Sequence, residues 1–241
     1  MNELSVEATS EFDAYASEYD AALARGLSVS GEGKNYFARG RILWLARCLA
    51  GLQKCPRMAL DFGCGTGSAT PFLLNQLGLY SLLGVDASVR SLAVARGTND
   101  DLRVRFVSLA DYRPKGLFDL VFCNGVFHHI APSDRAAALE VVYFSLRPGG
   151  LFAFWENNPW NPGTRYVMRR IPFDRNAITL SPPAARRLLR EHGFKVLRTD
   201  FLFFFPRFLA LLRPFESRLA RLPLGAQYQI ICQKPDDGGV E

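Results

Sequence analysis

The most informative stretch of the sequence is Ala59-Leu60-Asp61-Phe62-Gly63-Cys64-Gly65-Thr66-Gly67. An apolar run over 58–62 predicts a short buried strand, and the sequence over 68–77 predicts a helix directly after it. Three glycines at alternate positions let the backbone between them turn tightly and let a ligand approach the main chain. In open α/β sheets such a loop lies at the carboxyl end of the strand, where ligands bind. The stretch therefore predicts a sheet whose first strand ends in a binding loop.

The pattern on either side of this loop alternates between strands and helices. The further strands are predicted over 81–85, 104–107, 118–123, 151–155, 194–205 and 227–233, and the further helices over 11–25, 36–52, 89–96, 133–146, 182–192 and 207–221. The predicted strands are almost continuously apolar, which is typical of a parallel sheet covered by helices on both faces. The chain is therefore predicted to be an α/β protein.

Composition limits the other classes. The chain has 241 residues, of which 49% are hydrophobic and 22% charged, so we expect one globular domain rather than a disordered chain. The five cysteines are scattered without a C-x-x-C pair, which disfavours a zinc site or a disulfide framework and favours a reduced, cytoplasmic setting. The N-terminus lacks signal-peptide features, and the longest apolar run, over 201–212, is too short to span a bilayer.

The acidic residue before the loop indicates the chemistry of the ligand. A carboxylate at Asp61 would repel the pyrophosphate that dinucleotide-binding loops hold, and the spacing G-x-G-x-G differs from theirs. The same carboxylate suits a cation such as the ammonium group of an amino acid. The loop therefore favours a nucleoside that carries a positively charged amino acid.

Four stretches, in this order along the chain, resemble the motifs of class I S-adenosylmethionine (SAM)-dependent methyltransferases. The resemblance is to the members that act on small molecules, the methyltransferase type 11/12-like group. The four stretches are the glycine loop, with the family pattern (D/E)-x-G-x-G-x-G, and the stretches over 83–88, 118–130 and 146–150. The resemblance covers residues 58–156. It implies a Rossmann-like, doubly wound, seven-stranded sheet with six parallel strands, an antiparallel last strand paired at the edge, and an N-terminal helical lid.

The resemblance also implies SAM as the cofactor and residues that bind it. Asp61 would hold the ammonium group, Asp86 the ribose hydroxyls, and Asn124 would lie near the methionine portion. Asp111 is either an adenine ligand or a solvated acid in a turn. The predicted cofactor-binding residues are Asp61, Gly63, Cys64, Gly65, Gly67, Asp86, Ala87, Asp111, Asn124, Gly125, Tyr15 and Tyr19.

Candidate catalytic residues follow the fourth and fifth strands. His129, His128 and Glu156 lie where a base could take a proton from an acceptor hydroxyl. Methyl transfer also depends on holding the acceptor in line with the methyl group, and no metal is expected. The residues that follow are predicted to bind the acceptor: amides would orient it, an indole would stack on it and a guanidinium would bind an anionic group. They are Asn157, Asn158, Trp160 and Arg165.

We therefore expect a methyltransferase that transfers a methyl group from SAM to a small-molecule or lipid-linked acceptor, at an oxygen. Two alternatives stay open: carbon methylation of a quinone-like or polyketide ring, and a methyltransferase-like module that binds without catalysis. The single domain of residues 1–241 would comprise a lid over 1–55, a SAM-binding core over 56–156, and an acceptor-side part over 157–234.

The charge is concentrated in the acceptor-side part. The chain carries a net charge of +6, and residues 157–223 contain thirteen basic residues against four acidic ones. The helix predicted over 207–221 would place Phe208, Leu211, Leu212, Phe215 and Leu219 on one stripe. Such a helix could pack on the sheet, cap the pocket, form a dimer face or lie on an anionic membrane surface. Nucleic acid is disfavoured, because the aromatic residues cluster in apolar runs. The oligomeric state is left open.

Overall fold

The computed structural model describes residue 23, residues 25–175 and residues 177–236. The strands are β1 (Met58–Phe62), β2 (Ser81–Asp86), β3 (Val104–Ser108), β4 (Phe118–Asn124), β5 (Leu146–Asn157), β6 (Lys195–Leu202) and β7 (Gln227–Gln233). The α-helices are α1 (Lys34–Gly51), α2 (Thr70–Leu77), α3 (Val89–Thr98), α4 (Arg135–Ser145), α5 (Pro162–Arg170), α6 (Pro182–Glu191) and α7 (Glu216–Leu219). Short 3-10 helices cover Ser28–Ser30, Pro172–Asp174 and Arg207–Phe215. The predicted Rossmann-like alternation of strands and helices is confirmed.

The seven strands form one sheet in the order β3-β2-β1-β4-β5-β7-β6. β1 pairs in parallel with β2 and β4, and β7 runs antiparallel to both β5 and β6. The predicted reversal of the last strand is confirmed, but its predicted position at the edge is wrong. Five consecutive residues of β7 are buried, whereas four of the eight residues of β6 are half-buried and one is exposed. The more buried strand thus lies inside the sheet, and β6 is the edge strand.

The sheet separates two apolar cores because successive strand residues point to opposite faces. In β4, Leu120 and Phe122 belong to the core that contains α1 and α2. Val121 and Cys123 belong to the core that contains α4 and α6. Both faces of the central strands are thus covered by helices, as their continuous hydrophobicity predicts.

A buried carboxylate ties the first helix to the edge strand. Asp200 in β6 is fully buried and accepts a hydrogen bond from Trp44 Nε1 in α1 at 3.1 Å. The guanidinium of Arg198 donates to both of its oxygens, at 2.6 and 3.0 Å. Because a buried charge needs such compensation, this group fixes α1 against β6.

The single helix predicted over 207–221 is wrong. The structure has a 3-10 helix over Arg207–Phe215, with non-helical dihedral angles at Leu209, and a separate short α7. Pro214 lacks the N–H that a continuing α-helix needs there, and its ring crowds the preceding turn. The apolar stripe does not pack on the sheet, because no residue of Arg207–Phe215 is buried. None of the helices in the described part of the chain is long and apolar enough to span a bilayer.

We predict that Asp200→Ala lowers the free energy of unfolding by roughly 2–4 kcal/mol, because it leaves the Trp44 donor and the Arg198 charge without their acceptor. Asp101→Ala is the matched control, since Asp101 pairs with Arg103 at the surface, also two residues away. It should leave stability nearly unchanged. Urea denaturation of both variants checks this. Equal midpoints for the two variants would show that Asp200 does not hold the helix to the sheet.

Candidate functional site

A cavity of about 400 Å³ opens beside the carboxyl ends of β4 and β5. Asn124 and Gly125 at the end of β4, Asn157 at the end of β5 and Ser68 before α2 reach its wall. The described residues of the predicted lid that line it are Leu23, Leu27, Val29, Ser30, Glu32, Lys34, Tyr36, Phe37 and Arg41. The cavity therefore lies between the sheet edge and the N-terminal segment.

The glycine loop turns at three positive φ angles, +74° at Gly63, +53° at Gly65 and +74° at Gly67. A side chain at Gly63 would overlap Val126, and one at Gly67 would approach Asn99 Nδ2 to 2.8 Å. A Cβ at Gly65, in contrast, meets no atom of the described chain within 4 Å. Gly63 and Gly67 are thus required by packing, while Gly65 faces open space.

Asp61 lies buried at the base of this loop, with 3% of its surface exposed. Its Oδ2 atom has no hydrogen-bond partner within the described part of the chain. Burial, helped by the nearby charge of Asp86, raises the pKa of Asp61 to about 7. A buried, unsatisfied carboxylate is costly, and a bound cation would remove the cost.

Asp86 ends β2 and closes the other side of the loop. Its Oδ2 accepts a hydrogen bond from Gly65 N and its Oδ1 one from Ser88 N, each at 2.8 Å. Ala87 is exposed next to it, and Asp111 is exposed on the turn after β3. The structure thus brings Asp86 and Gly65 into contact, while Asp111 lies on a separate turn.

The side chain of Cys64 is not positioned to bind a cofactor, which corrects the prediction. It is buried in a small apolar cluster with Leu92, Ala95 and Phe106. A thiol in such surroundings packs as a small hydrophobic group, and burial raises its pKa well above the usual value. Tyr15 and Tyr19, also predicted to contact the cofactor, lie outside the described residues, as does most of the helix predicted over 11–25.

Both predicted histidines line the cavity, together with Asp174 from the 3-10 helix after α5. His128 Nε2 and His129 Nε2 lie 3.6 and 3.3 Å from the same oxygen, Asp174 Oδ1. Donor atoms of these three side chains lie within 4.8 Å of one another, a spacing that could also hold a metal ion. The histidine pair therefore shares one carboxylate, and the sequence analysis did not identify it.

Glu156 stands behind the histidines rather than in the cavity, so its predicted role as a residue that contacts the acceptor is wrong. It is 1% exposed, and its Oε2 lies 2.5 Å from His128 Nδ1. Its Oε1 accepts a hydrogen bond from Phe127 N at 2.8 Å. A carboxylate at the end of a central strand is buried by its neighbours, and this one orients His128.

The two imidazoles differ in protonation. Burial lowers the pKa of His128, but the Glu156 carboxylate, followed by Asp174, outweighs burial and raises it to about 10. Burial and then the charge on His128 lower the pKa of His129. Although burial opposes it, the contacts with both imidazoles hold the pKa of Asp174 below its usual range. His128 is therefore cationic at neutral pH and His129 is neutral.

The predicted acceptor residues divide into one that lines the cavity and three that do not. Asn157 lines it. Asn158 is fully buried, and its Nδ2 donates to Pro223 O and Gly225 O, so it fixes the chain before β7. Trp160 is half-exposed and Arg165 is exposed, both outside the cavity wall. The prediction that Asn158, Trp160 and Arg165 line the acceptor pocket is therefore wrong. Consecutive residues in an irregular segment point in different directions, which the sequence does not reveal.

Asn161 also lines the cavity, and it caps α5 by accepting a hydrogen bond from Thr164 N, as the sequence Asn161-Pro162 indicates. Other cavity residues were missed. Asp174 and Arg213 enter the cavity from segments that carry no local signal. Arg213 lies over the ring of Tyr36 and pairs with Glu32 at 2.8 Å, while its Nη2 has no partner in the described chain.

Comparisons with known proteins show what the chain is similar to. Residues 60–152 match a family model described as a methyltransferase domain. A trans-aconitate 2-methyltransferase from Methylobacterium radiotolerans is 28% identical over 118 residues, which cover 49% of this chain and 45% of that protein. One from Azoarcus is 29% identical over 113 residues, 47% of this chain and 44% of that protein. The chain spans under half the length of the curated relatives it matches.

Solved structures of similar fold extend beyond the matched segment. A SAM-dependent methyltransferase from Thermotoga maritima superposes with a TM-score of 0.62 and 22% identity, over 94% of this chain and 99% of that one. One from Archaeoglobus fulgidus gives a TM-score of 0.62 with 19% identity, over 84% and 95%. Residues 60–152 are therefore similar to a methyltransferase domain, and the described chain has the fold of class I SAM-dependent methyltransferases.

Proposed function

We propose that this protein transfers a methyl group from SAM to an oxygen atom of a small-molecule acceptor, with His129 as the base. The observation that carries the proposal is the neutral His129 beside Asp174 in the wall of the cavity. The small-molecule acceptor named for the curated relatives supports the same class of reaction. A cavity that stays open also argues against a module that has lost its ligand.

The residues at the sheet edge suit the cofactor. The buried Asp61 Oδ2, which has no partner among the described residues, would accept the ammonium group of SAM. Gly65 leaves space beside the main chain, and the carboxylate of Asp86, which contacts Gly65 N, would bind the ribose hydroxyls. Asn124 Oδ1, buried and without a described partner at the cavity wall, would face the methionine portion. The remaining predicted contacts, those of Ala87, Gly125 and Asp111, belong to the same proposal.

Bound SAM would supply a methyl group attached to a positively charged sulfur. The bond from this sulfur to the methyl carbon breaks readily, and S-adenosylhomocysteine leaves. The chain then has to position the acceptor and remove its proton. His129 Nε2 lies 3.3 Å from Asp174 Oδ1, so in this proposal the imidazole proton is on Nε2 and the lone pair is on Nδ1. His129 Nδ1 would take the proton from the acceptor hydroxyl as the new bond forms.

His128 and Glu156 act as positioning residues in this proposal. Glu156 holds His128 cationic, and both imidazoles face Asp174. The carboxylate of Asp174 therefore stays ionised between them and fixes the ring of His129. The charge on His128 also keeps His129 neutral, and a base must be neutral to accept a proton.

The cavity favours an acceptor with an apolar body and an anionic group. Aromatic rings form much of the wall: Tyr36, Phe37, Phe173, Phe203, Phe204, Phe205 and Phe208. The Nη2 atom of Arg213 is a buried donor without a described partner, and it suits an anion on the acceptor. The N-terminal segment contributes Tyr36 and Phe37, so we propose that the predicted lid over residues 1–55 covers the acceptor.

We predict that Gly65→Ala weakens SAM binding at least tenfold while the protein stays folded, because the new methyl group enters the open space of the loop. Gly63→Ala is the matched control at the same loop. It should destabilise the fold by roughly 2–4 kcal/mol, because its side chain overlaps Val126 at a positive φ. Calorimetric titration with SAM and thermal unfolding separate the two effects. Normal SAM binding by Gly65→Ala would remove the loop from the site.

Asp61 should make the stability of the cofactor-free protein depend on pH. Its pKa rises from 3.8 in the unfolded chain to about 7 in the folded one, so its contribution to stability is lost as the pH rises through this range. The free energy of unfolding of Asp61→Asn, measured relative to that of the wild type, should therefore increase by roughly 2–3 kcal/mol as the pH rises from about 5 to about 8. The same variant should bind SAM at least tenfold more weakly. Denaturation at several pH values checks this, and a constant difference would contradict it.

We predict that His129→Gln lowers kcat by about 10²-fold and leaves the affinity for SAM unchanged, since proton transfer typically contributes this much. His192→Gln is the matched control, because His192 caps the end of α6, far from the cavity lining. Turnover with an acceptor from a carboxylic acid and phenol panel measures kcat. Nuclear magnetic resonance of the product made from isotopically labelled SAM distinguishes O-methylation from C-methylation.

A metal-dependent role of the same three side chains is the alternative outcome of this experiment. If a metal ion shared by His128, His129 and Asp174 activates the acceptor, the purified protein contains the metal and a chelator abolishes turnover. If His129 acts as a base, turnover withstands the chelator. Elemental analysis of the purified protein, followed by the chelator assay, decides between the two.

A further inference from the structure

Residues 207–224, called here the rim segment, expose an unusual run of large apolar side chains. Phe208 is 81% exposed and Leu211 92%, and Leu224 is 63% exposed at the other end of the segment. The further large apolar residues of this segment with exposed surface are Leu209, Leu212, Phe215 and Leu222. Exposed patches of this kind mark surfaces that bind a partner or a membrane.

The exposed charged side chains of the rim segment are all positive. Arg207, Arg218 and Arg221 are exposed. The one acidic residue of the segment, Glu216, turns inward, and its Oε1 accepts hydrogen bonds from Phe204 N and Phe205 N. The exposed surface of the segment therefore combines apolar side chains with arginines and lacks a carboxylate. Arginines can keep their charged ends in water or at phosphates while apolar neighbours enter a lipid phase.

Both ends of the rim segment border the cavity. Pro206 and Phe208 form part of its wall. At the other end, Asn161 Nδ2 donates a hydrogen bond to Leu224 O at 2.7 Å, and Asn161 also lines the cavity. A surface that docks through this segment would therefore lie next to the cavity.

We propose that the rim segment docks the protein on an anionic lipid bilayer, with the apolar side chains in the headgroup region and the arginines at the phosphates. This inference goes beyond the proposed reaction and does not depend on it. Charge favours this occupant over a second copy of the chain, because two rim segments would bring arginines together. An acceptor that resides in the bilayer would reach the cavity directly from the docked protein.

Vesicle sedimentation with the full-length chain tests the proposal. The wild type should sediment with vesicles of mixed phosphatidylcholine and phosphatidylglycerol, and high salt should weaken this binding because it screens the arginines. The variant Leu211→Ser/Leu224→Ser should bind at least tenfold more weakly, because it loses two side chains that would be buried in lipid. Arg218→Gln should bind about fivefold more weakly.

The matched control is Leu102→Ser/Phe144→Ser. Leu102 is fully exposed and Phe144 is 59% exposed, but they precede β3 and β5 and so lie at the opposite, amino-terminal edge of the sheet. This control should bind the vesicles like the wild type. The two rim leucines do not line the cavity, so SAM titration and thermal unfolding of the rim variant should match the wild type and show that it is folded.

Three results would overturn the proposal. The wild type fails to bind anionic vesicles, or the rim and control variants bind equally well, or sedimentation velocity shows a dimer that Leu211→Ser/Leu224→Ser dissociates while vesicles are not bound. Methyl transfer to a water-soluble acceptor is measured separately. If the wild type turns over the acceptor but does not bind vesicles, only the docking proposal fails. If it binds vesicles but does not turn over any acceptor, only the proposed reaction fails.

Discussion

The buried carboxylate of Glu156 is the group on which the histidine wall of the cavity depends. Its two oxygens bind Phe127 N and His128 Nδ1, and so they hold the loop after β4 against the end of β5. The paired charge keeps His128 cationic, and this cation faces Asp174, which also contacts His129. This carboxylate thereby raises the pKa of His128, and the charge on His128 lowers the pKa of His129. A buried charge is tolerated in such a position because each of its oxygens is satisfied.

Glu156 and Asp61 are two buried carboxylates whose hydrogen bonding differs. Both side chains are almost fully buried at the carboxyl end of a central strand. Glu156 has its partners within the protein, whereas Asp61 Oδ2 has none among the described residues, and burial raises the pKa of Asp61 to about 7. The folded protein therefore carries an unfavourable group where a ligand would relieve it, as expected for a site kept ready for a cation.

Local sequence patterns predicted the alternation of elements, the glycine loop and the meeting of Asp61 and Asp86 at one edge, because parallel strands align their carboxyl ends. They did not predict Asp174, since its contact with the histidines depends on how the chain folds back after α5. Trp160 and Arg165 were misplaced for a related reason, because irregular segments have no period that fixes side-chain direction. Pro214 was a signal against a continuous helix after residue 207, but the apolar stripe outweighed it.

The position of β7 inside the sheet has a consequence for synthesis on the ribosome. β6 has β7 as its neighbour in the sheet and does not pair with β5. β6 therefore emerges from the ribosome before the strand that attaches it, and it stays unpaired until residue 233 has also emerged. The wall formed by Phe203, Phe204 and Phe205 directly after β6 forms only at that stage. The nascent protein can thus fold its glycine loop early, whereas the cavity is completed only after β7 has emerged.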